Sequence, residues 1–303
     1  METWVLITVA AAFLQNVRSA MQKHLKGVMG TTGATFVRFG FGLPFALLYL
    51  VLLWRVGGHQ LPVPNGTFYL WAVVGGLAQI AATFLLVHLF SFRNFAVGTA
   101  YSRTEPAQAA LFGLIFLGEK ASQGALVAIA ISVVGVMLIS VARTTLSARS
   151  LLTSIFGRTA GIGLLSGTFF GLSAVSYRSA SLALEPSLPQ PDYVIQASFT
   201  LGFVILLRRS SLLWIVARER DELKRIGAAW KPAFVVGFVG ASASFGWFAA
   251  MTLQQAAIVK VVAQVEMLFT FASSFFIFRE WINRLELVGC LLIVLGVVML
   301  LVM

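Results

Sequence analysis

Charged side chains are scarce in this sequence, and cysteine is almost absent. Asp, Glu, Lys and Arg make up 11% of the 303 residues, whereas a soluble domain has about 25%. Because so few charges cannot cover a water-facing surface and 59% of the residues are hydrophobic, lipid must be the solvent for most of the chain. The single cysteine, Cys290, lies in an apolar run, which excludes a disulfide framework and a cysteine-based metal site.

Residues suited to catalysis are also sparse. The three histidines, His24, His59 and His88, are scattered along the sequence. The apolar runs contain no H-E-x-x-H, G-x-S-x-G or paired-aspartate motif. The sequence therefore argues against an intramembrane enzyme and predicts neither a cofactor nor a metal site. The net charge of +11 lies mainly in short connections between apolar runs, which indicates contact with anionic lipid headgroups rather than with nucleic acid.

Apolar runs predict an all-α membrane protein with ten transmembrane helices, because a spanning helix needs about 20 apolar residues. The helices are expected at about 4–25, 33–54, 67–91, 96–118, 123–142, 159–183, 192–207, 232–253, 257–278 and 283–303. The segment 208–231 carries seven Lys and Arg with apolar residues between them. Two interpretations stay open for this segment, a basic amphipathic helix on an anionic leaflet or a plain basic loop.

The charges of the loops predict the orientation. Odd-numbered loops hold fifteen Lys and Arg, whereas even-numbered loops hold only Arg55 and Lys120. By the positive-inside rule the odd loops face the cytoplasm. We therefore expect a multi-pass protein of the bacterial inner (plasma) membrane with both termini on the extracytoplasmic side.

An internal repeat divides the chain. Residues 96–142 align without a gap on 257–303 at an offset of 161, which pairs Glu105 with Glu266 and Gly135 with Gly296. A shorter match, Arg18-Ser19-Ala20 with Arg178-Ser179-Ala180, has an offset of 160.

The repeat predicts two five-helix halves. The first covers 1–142, a cytoplasmic linker follows at 143–158, and the second covers 159–303. Because five is an odd number, the second half enters the membrane in the opposite sense. Inverted repeats are typical of transporters that work by alternating access, with the substrate site near the bilayer midplane at the repeat interface.

The sequence resembles the drug/metabolite transporter superfamily, and specifically its ten-helix EamA-type members. The resemblance rests on Glu105-Pro106, Gly118-Glu119, the helix that contains Gly135, and the copies around Glu266 and Arg279-Glu280. It implies a substrate cavity lined by the first, third, fourth, sixth, eighth and ninth helices. The chain differs from the pattern at Met267, which replaces the proline of the second copy, so we expect only the fourth helix to be kinked there.

The fourth predicted helix carries the strongest candidate site. Tyr101, Glu105 and Gln108 fall on one face of an otherwise apolar helix, and Pro106 removes the helical partner of the Ser102 carbonyl. A carboxylate at such a bend can bind cargo or carry protons, because desolvation favours its protonated form unless it is paired. The alternative is a structural ion pair between Glu105 and an arginine.

Two further helices carry arginines within apolar runs. Gln15 and Arg18 share one face of the first helix, and Tyr177 and Arg178 follow each other in the sixth. Arginine binds carboxylate or phosphate through two parallel hydrogen bonds, which suits an anionic or zwitterionic cargo. The alternative is that both arginines neutralise the carboxylates of Glu105 and Glu266.

Other polar residues within the runs have two interpretations each. Arg103 lies about 200° around the helix from Glu105, so one of the two is expected to pair with a neighbouring helix. Gln264 is its repeat counterpart, and Lys260 lies one turn before Gln264. These three residues serve either the cargo or the structure. Glu266 is a candidate for cargo binding and proton coupling, and His88 for proton coupling or a structural role.

The balance of charge within the runs favours a negatively charged or zwitterionic cargo. The charged candidates in the apolar runs comprise two acidic residues, Glu105 and Glu266, and five basic residues. The basic residues are Arg18, Arg38, Arg103, Arg178 and Lys260. The aromatic residues Trp4, Tyr101, Tyr177 and Trp247 instead suit a quaternary ammonium or drug-like cation. A flippase for a lipid or lipid-linked intermediate is a further alternative on the same scaffold.

Glycines predict close helix packing at two places. Gly163, Gly167 and Gly171 form a small-residue ridge on the sixth helix, which permits a tight crossing. Gly289 and Gly296 on the last helix suit either packing within the chain or the contact of a homodimer.

Overall fold

The computed structural model describes residues 2–26, 28–29, 33, 36–37, 40–89, 95–142, 156–218, 220–276 and 283–302. These residues form α-helices joined by short connections, and no β-strand occurs among them. The helices are α1 (Thr3–Lys26), α2 (Gly42–Arg55), α3 (Gly66–Leu89), α4 (Phe95–Ser102), α5 (Glu105–Leu117), α6 (Gln123–Ala142), α7 (Arg158–Leu182), α8 (Tyr193–Arg218), α9 (Arg220–Ala228), α10 (Trp230–Leu253), α11 (Ala256–Ala263), α12 (Val265–Phe276) and α13 (Arg284–Val302).

The all-helical prediction is confirmed. Five segments within the described ranges are long and apolar enough to cross a bilayer: Gly66–Leu86, Gln123–Ala142, Arg158–Ser187, Trp230–Leu253 and Arg284–Val302. The helices Gly42–Arg55 and Tyr193–Leu207 are apolar but shorter. Polar residues such as Gln15 and Arg18 lower the hydropathy of α1, which is 24 residues long. A total of ten spans stays a prediction.

The basic segment 208–231 is not a loop. Helix α8 continues through the predicted end of the seventh span to Arg218, and α9 then runs from Arg220 to Ala228. Ile226 is buried in a cluster with Leu25 and Met29, whereas Lys224 is exposed. Ile226 of α9 therefore packs on protein, whereas Leu223 is exposed. Because the segment is helical, the prediction of a loop is wrong. The linker 143–155, Arg38 and the Arg279-Glu280 motif lie outside the described residues.

Two predicted spans are interrupted at equivalent positions. The fourth breaks between α4 and α5 at Arg103 and Thr104, and the ninth breaks between α11 and α12 at Gln264. The N–H of Arg103 donates to the Ala100 carbonyl at 3.1 Å, and the N–H of Gln264 donates to the Val261 carbonyl at 3.1 Å. The prediction that only the fourth helix is kinked is wrong, because this i to i−3 hydrogen bond turns the chain without a proline.

The chain forms two compact units, and each combines residues of both sequence repeats. The first unit contains Met1–Gly76 and Tyr177–Leu253, and the second contains Leu77–Ser176 and Gln254–Met303. Helices that belong to repeat-related spans pack in pairs within a unit: α2 on α8 in the first, and α5 on α11 and α6 on α13 in the second. Each compact unit contains helices from both repeats, so the units do not coincide with the repeats. The division of the chain into two repeat domains stays a prediction.

The first unit has an aromatic core and tied loops. The Phe68 ring contacts the rings of Phe199 and Phe203 edge-on, at centroid distances of 5.6 and 5.2 Å. On the loops, His59 Nδ1 pairs with Asp192, and Asn65 Nδ2 donates to the Ala183 carbonyl at 2.7 Å. These contacts hold the connection before α3 against the connection before α8.

The second unit packs α6 tightly against α13. A Cβ on Gly135 would lie 2.7 Å from the Gly289 carbonyl, and one on Gly296 would lie 2.1 Å from Ser132 Oγ. The backbones approach this closely because the facing residues are small: Gly135 lies opposite Gly289, and Gly296 lies opposite Ser132. Gly289 and Gly296 therefore serve packing within the chain, and a homodimer stays a prediction that these glycines do not support.

Candidate functional site

The break between α4 and α5 lies directly on α7. A Cβ on Gly163 would lie 2.0 Å from the Gly98 carbonyl, and one on Gly167 would lie 2.9 Å from the Ser102 carbonyl. Gly171 faces the first turn of α5 in the same way. The tight crossing predicted from these three glycines is confirmed, and the Ser102 carbonyl lies against Gly167.

An ion pair joins the two interrupted spans within the second unit. Lys260 Nζ on α11 lies 2.7 Å from Glu105 Oε1 at the start of α5, and the two side chains are 25% and 20% exposed. At this distance the two opposite charges are in direct ionic contact, although the contact does not have the geometry of a hydrogen bond. Glu105 therefore has the ionic partner that we expected as its structural alternative, but the partner is a lysine of the repeat-related span rather than an arginine.

Each residue of this pair is followed by a glutamine about one helical turn later: Gln108 follows Glu105, and Gln264 follows Lys260. Gln108 Nε2 donates to Thr104 Oγ1 at 2.8 Å and to the Leu164 carbonyl at 3.4 Å. The Oε1 atoms of Gln108 and Gln264 are buried and have no hydrogen-bond partner among the described residues. A buried carbonyl oxygen without a donor is costly. These two oxygens are therefore suited to accept hydrogen bonds from a polar cargo.

The polar character of the fourth span is not repeated in the ninth. Tyr101, Thr104 and Gln108 align at the offset of 161 with Val262, Val265 and Phe269. In the opposite direction, Lys260 aligns with Thr99. The Glu105–Lys260 pair consequently has no copy in which Glu266 pairs with an equivalent lysine.

The remaining candidates of the second unit have different surroundings. Tyr101 is buried in a cluster with Ala100, Val141 and Ala160. Arg103 is exposed at the break, and Glu266 is half-buried in the first turn of α12. His88 is exposed, and its ring stacks on Phe84 at a centroid distance of 6.2 Å.

The candidates on α1 and α10 meet within the first unit. Trp247 Nε1 donates to Gln15 Oε1 at 3.0 Å, so two of the predicted site residues are in direct contact. Arg18, one turn further along α1, is 6% exposed. The Tyr177 ring stacks on Phe248 at a centroid distance of 4.8 Å. Trp4 is buried, and its indole N–H donates to Glu2.

Arg178 holds the end of α10. Its Nη1 donates to the Met251 carbonyl at 2.5 Å and to the Thr252 carbonyl at 3.0 Å. The last carbonyls of a helix lack helical partners and carry partial negative charge, which a guanidinium satisfies. Neither of our two expectations for Arg178, cargo binding or neutralisation of a carboxylate, included this contact.

Sequence reasoning left one residue of the site undecided and missed another. Lys260 was given either a cargo-binding or a structural role with no partner assigned, and Thr104 was not considered. The signal for Lys260 was available in its charge: it is the lysine of the span that repeats the one carrying Glu105. No group of three or more His, Cys, Asp or Glu residues suited to a metal ion occurs in the described part of the chain.

Comparison with known proteins agrees with the fold. The model of the EamA-like transporter family matches the chain twice, over residues 2–141 and 158–302. A crystal structure of another protein has a similar fold, with a TM-score of 0.72 and 14% sequence identity over 98% of this chain and 95% of that chain. At this identity the likeness concerns the fold alone. No curated protein matches the chain.

Proposed function

The chain belongs to the EamA-like transporter family and is a membrane transporter rather than an enzyme, and we propose that it carries a small polar metabolite. An amino acid or another zwitterionic or anionic compound is favoured as the cargo. The observation that carries this proposal is the ion pair between Glu105 and Lys260, which are 2.7 Å apart. Ionisable residues within spans are costly, and they usually serve a pathway or a partner.

A zwitterion is complementary to an ion pair. Its ammonium replaces Lys260 as the partner of Glu105, and its carboxylate replaces Glu105 as the partner of Lys260. Neither charge of the protein is then left without a partner, which would be strongly destabilising in a partly desolvated site. The Gln108 and Gln264 oxygens supply further acceptors for the ammonium.

The mechanism that we propose is alternating access between two inverted five-helix repeats of a ten-span protein. The equivalent breaks at Arg103 and Gln264 support it, because interrupted helices near the midplane are a recurring feature of inverted-repeat transporters. Gln15, Arg18, Tyr177, Arg178 and Trp247 remain candidates for cargo binding in the first unit. Glu105, Glu266 and His88 remain candidates for proton coupling.

For the orientation we propose extracytoplasmic termini in the bacterial inner membrane. The test is labelling of whole cells with a membrane-impermeant maleimide, in a Cys290→Ala background with a new cysteine at an exposed loop position. Labelling is expected for Val56→Cys and not for Lys224→Cys, since only the first position is predicted to lie outside. The reverse pattern would invert the orientation.

The cargo proposal is tested by a ligand screen on the purified protein. Amino acids, organic acids, nucleosides, phosphates and quaternary amines are scored by the shift of the unfolding temperature, on the wild type and on Glu105→Gln, Lys260→Gln and Arg18→Ala. We expect zwitterions to stabilise the wild type and to lose this effect in Glu105→Gln and Lys260→Gln. Anions are expected to bind Glu105→Gln better, because Lys260 is then left without its carboxylate.

Three outcomes contradict the proposal. Stabilisation by quaternary amines alone favours the cationic cargo. Stabilisation by lipids alone favours the flippase. Zwitterion binding that all three variants leave unchanged moves the site away from these charges.

A further inference from the structure

The amide of Gln108 has a fixed orientation beside the break between α4 and α5. Its Nε2 donates to Thr104 Oγ1 at 2.8 Å and to the Leu164 carbonyl at 3.4 Å. The Thr104 hydroxyl donates its proton to the Tyr101 carbonyl at 2.7 Å, so it can only accept a hydrogen bond from Gln108. Turning the amide over would place Oε1 against two groups without a proton to donate. The Oε1 atom of Gln108 is therefore held on the side away from Thr104 and Leu164.

This orienting contact belongs to the first repeat alone. Thr104 lies at the break, where its N–H donates to the Tyr101 carbonyl at 3.2 Å. At the offset of 161, Thr104 aligns with Val265 and Gln108 with Phe269. Neither valine nor phenylalanine has a polar side-chain atom, yet the ninth span is also interrupted. The contact between Thr104 and Gln108 is therefore not required for a break of this kind, and it can serve the site.

The two interrupted spans carry hydrogen-bond acceptors that need donors. Oε1 of Gln108 and Oε1 of Gln264 are buried, with no hydrogen-bond partner in the described part of the chain. Gln108 lies one turn after Glu105, whose carboxylate is a third acceptor, and Gln264 lies one turn after Lys260. An amide oxygen and an ionised carboxylate accept hydrogen bonds and cannot donate them. A ligand that satisfies these acceptors must therefore supply the hydrogen atoms.

We propose that these acceptors restrict the cargo to zwitterions whose cation is a primary ammonium. The inference rests on the proposed function, in which the cargo ammonium replaces Lys260 as the partner of Glu105. A primary ammonium has three N–H groups, which match the three acceptors in number. Each methyl group on the nitrogen removes one donor and leaves a buried oxygen without a hydrogen bond, which is costly. Charge alone does not make this distinction, since a trimethylammonium carries the same positive charge.

Thr104 acts in this proposal as a positioning residue, because it contacts Gln108 and not the cargo. Loss of its hydroxyl removes the shorter of the two hydrogen bonds that fix Nε2 of Gln108. The amide can then turn over. A turned amide presents Nε2, which is a donor, where the cargo ammonium needs an acceptor.

The test is a series of zwitterions that differ only in the number of N–H groups. Glycine, N-methylglycine, N,N-dimethylglycine and N,N,N-trimethylglycine have three, two, one and no N–H groups on the charged nitrogen. The same series built on leucine covers a cargo with a larger side chain. Dissociation constants are measured by isothermal titration calorimetry on the purified full-length protein. We expect the affinity to fall with each methyl group, and to be about 100-fold weaker for the trimethyl compound.

Failure of this inference and failure of the proposed function give different results. Equal affinities across a series would overturn the restriction to a primary ammonium and leave the proposed zwitterion site intact. If no member of either series binds, the proposed function fails, and this inference fails with it.

Variants of Gln108 and Thr104 assign the selectivity to these side chains. The measurement is the ratio of the dissociation constants of the trimethyl and unmethylated compounds, because a general loss of structure weakens both alike. Gln108→Met removes the acceptor and is expected to lower this ratio about tenfold. Thr104→Val is expected to lower it about threefold to tenfold, and Thr104→Ser, which keeps the hydroxyl, to preserve it. Thr83→Val is the matched control with an unchanged ratio, since the exposed Thr83 hydroxyl donates to the Gln79 carbonyl on α3.

The variants can also contradict each assignment. A ratio unchanged in Gln108→Met would overturn the role of the amide. A ratio lowered equally in Thr104→Val and Thr104→Ser would show that Thr104 acts through packing rather than through its hydroxyl. Because Gln108→Met leaves the hydrogen bond between Thr104 and Tyr101 in place, it keeps the proposal testable if Thr104→Val does not fold.

Discussion

The fourth and ninth spans break at equivalent positions, yet the two breaks carry different side chains. Both turn through the same i to i−3 hydrogen bond, at Arg103 in one and Gln264 in the other. Around the first break lie Thr104, Glu105 and Gln108, whereas the aligned residues of the second are mostly apolar. The second contributes Lys260, which pairs with Glu105.

This difference indicates that the backbone is repeated and the chemistry is not. A symmetric pair of sites would require a cation aligned with Lys260, and the sequence has Thr99 there. We therefore expect one polar site built mainly by the first repeat and completed by the second.

Replacing Lys260 by Met is expected to have the largest effect. The Glu105 carboxylate then loses its ionic partner, which is strongly destabilising for a partly buried charge. The rate of uptake of a zwitterionic cargo into proteoliposomes is expected to fall about 100-fold or more. This corresponds to a rise of about 2.7 kcal/mol in the activation free energy. Lys224→Met, at an exposed lysine of α9, is the control and is expected to have no effect.

The double variant and the repeat partner complete this test. Glu105→Gln combined with Lys260→Met is expected to recover the unfolding temperature but not uptake, because it removes both charges. Glu266→Gln is expected to lose less uptake than Lys260→Met. An equal loss in Glu266→Gln would mean that both breaks carry a functional charge.

Replacing Gly163 by Ala is expected to destabilise the first break. The added Cβ would lie 2.0 Å from the Gly98 carbonyl, so backbone must shift, at a cost of about 1–3 kcal/mol. Gly161→Ala, on the same helix with open space around it, is the matched control. The unfolding temperature in detergent is the measurement, and equal values for the two variants would contradict the close crossing.

Replacing Gln108 by Phe transfers the residue of the ninth span to the fourth. The change removes the hydrogen bonds to Thr104 and Leu164 and one buried acceptor. We expect uptake to fall about tenfold, or about 1.4 kcal/mol. Ile115→Phe, at an exposed position of α5, is the control. Full activity of Gln108→Phe would exclude the amide from the site.

Replacing Pro106 by Met copies the second break and is expected to have the smallest effect. Since the ninth span is interrupted with Met267 at this position, the proline is not needed for the break. Uptake is expected to stay within about threefold of the wild type, or about 0.7 kcal/mol. A complete loss of uptake would show that the two breaks depend on different causes.

Much of the fold was predictable from local sequence. Apolar runs gave most helices to within a few residues, because the lipid-facing length of a helix is a property of one continuous segment. The prediction failed where the ending of a helix depends on its neighbours. Helix α8 continues through Arg208 and Arg209, and the ninth span breaks without a proline.

The candidate site was predictable in part. Glu105 and Gln108 were identified from their shared face on the fourth span, and the geometry places a cation beside Glu105. Arg178 was identified for its charge, whereas its contacts with the end of α10 depend on how α7 meets that helix. The periodicity of polar residues predicts which side chains share one face of a helix. It does not predict which helix packs against that face.

Composition and local sequence pattern are enough to predict the lipid environment, the helices and the internal repeat. Each follows from composition or from residues close together in the chain, and the family match rests on the same two copies. The pairing of Lys260 with Glu105 and the contact of α4 and α5 with the glycines of α7 come instead from the packing of the helices. These contacts join residues far apart in the sequence, so they are determined by helix packing rather than by local pattern.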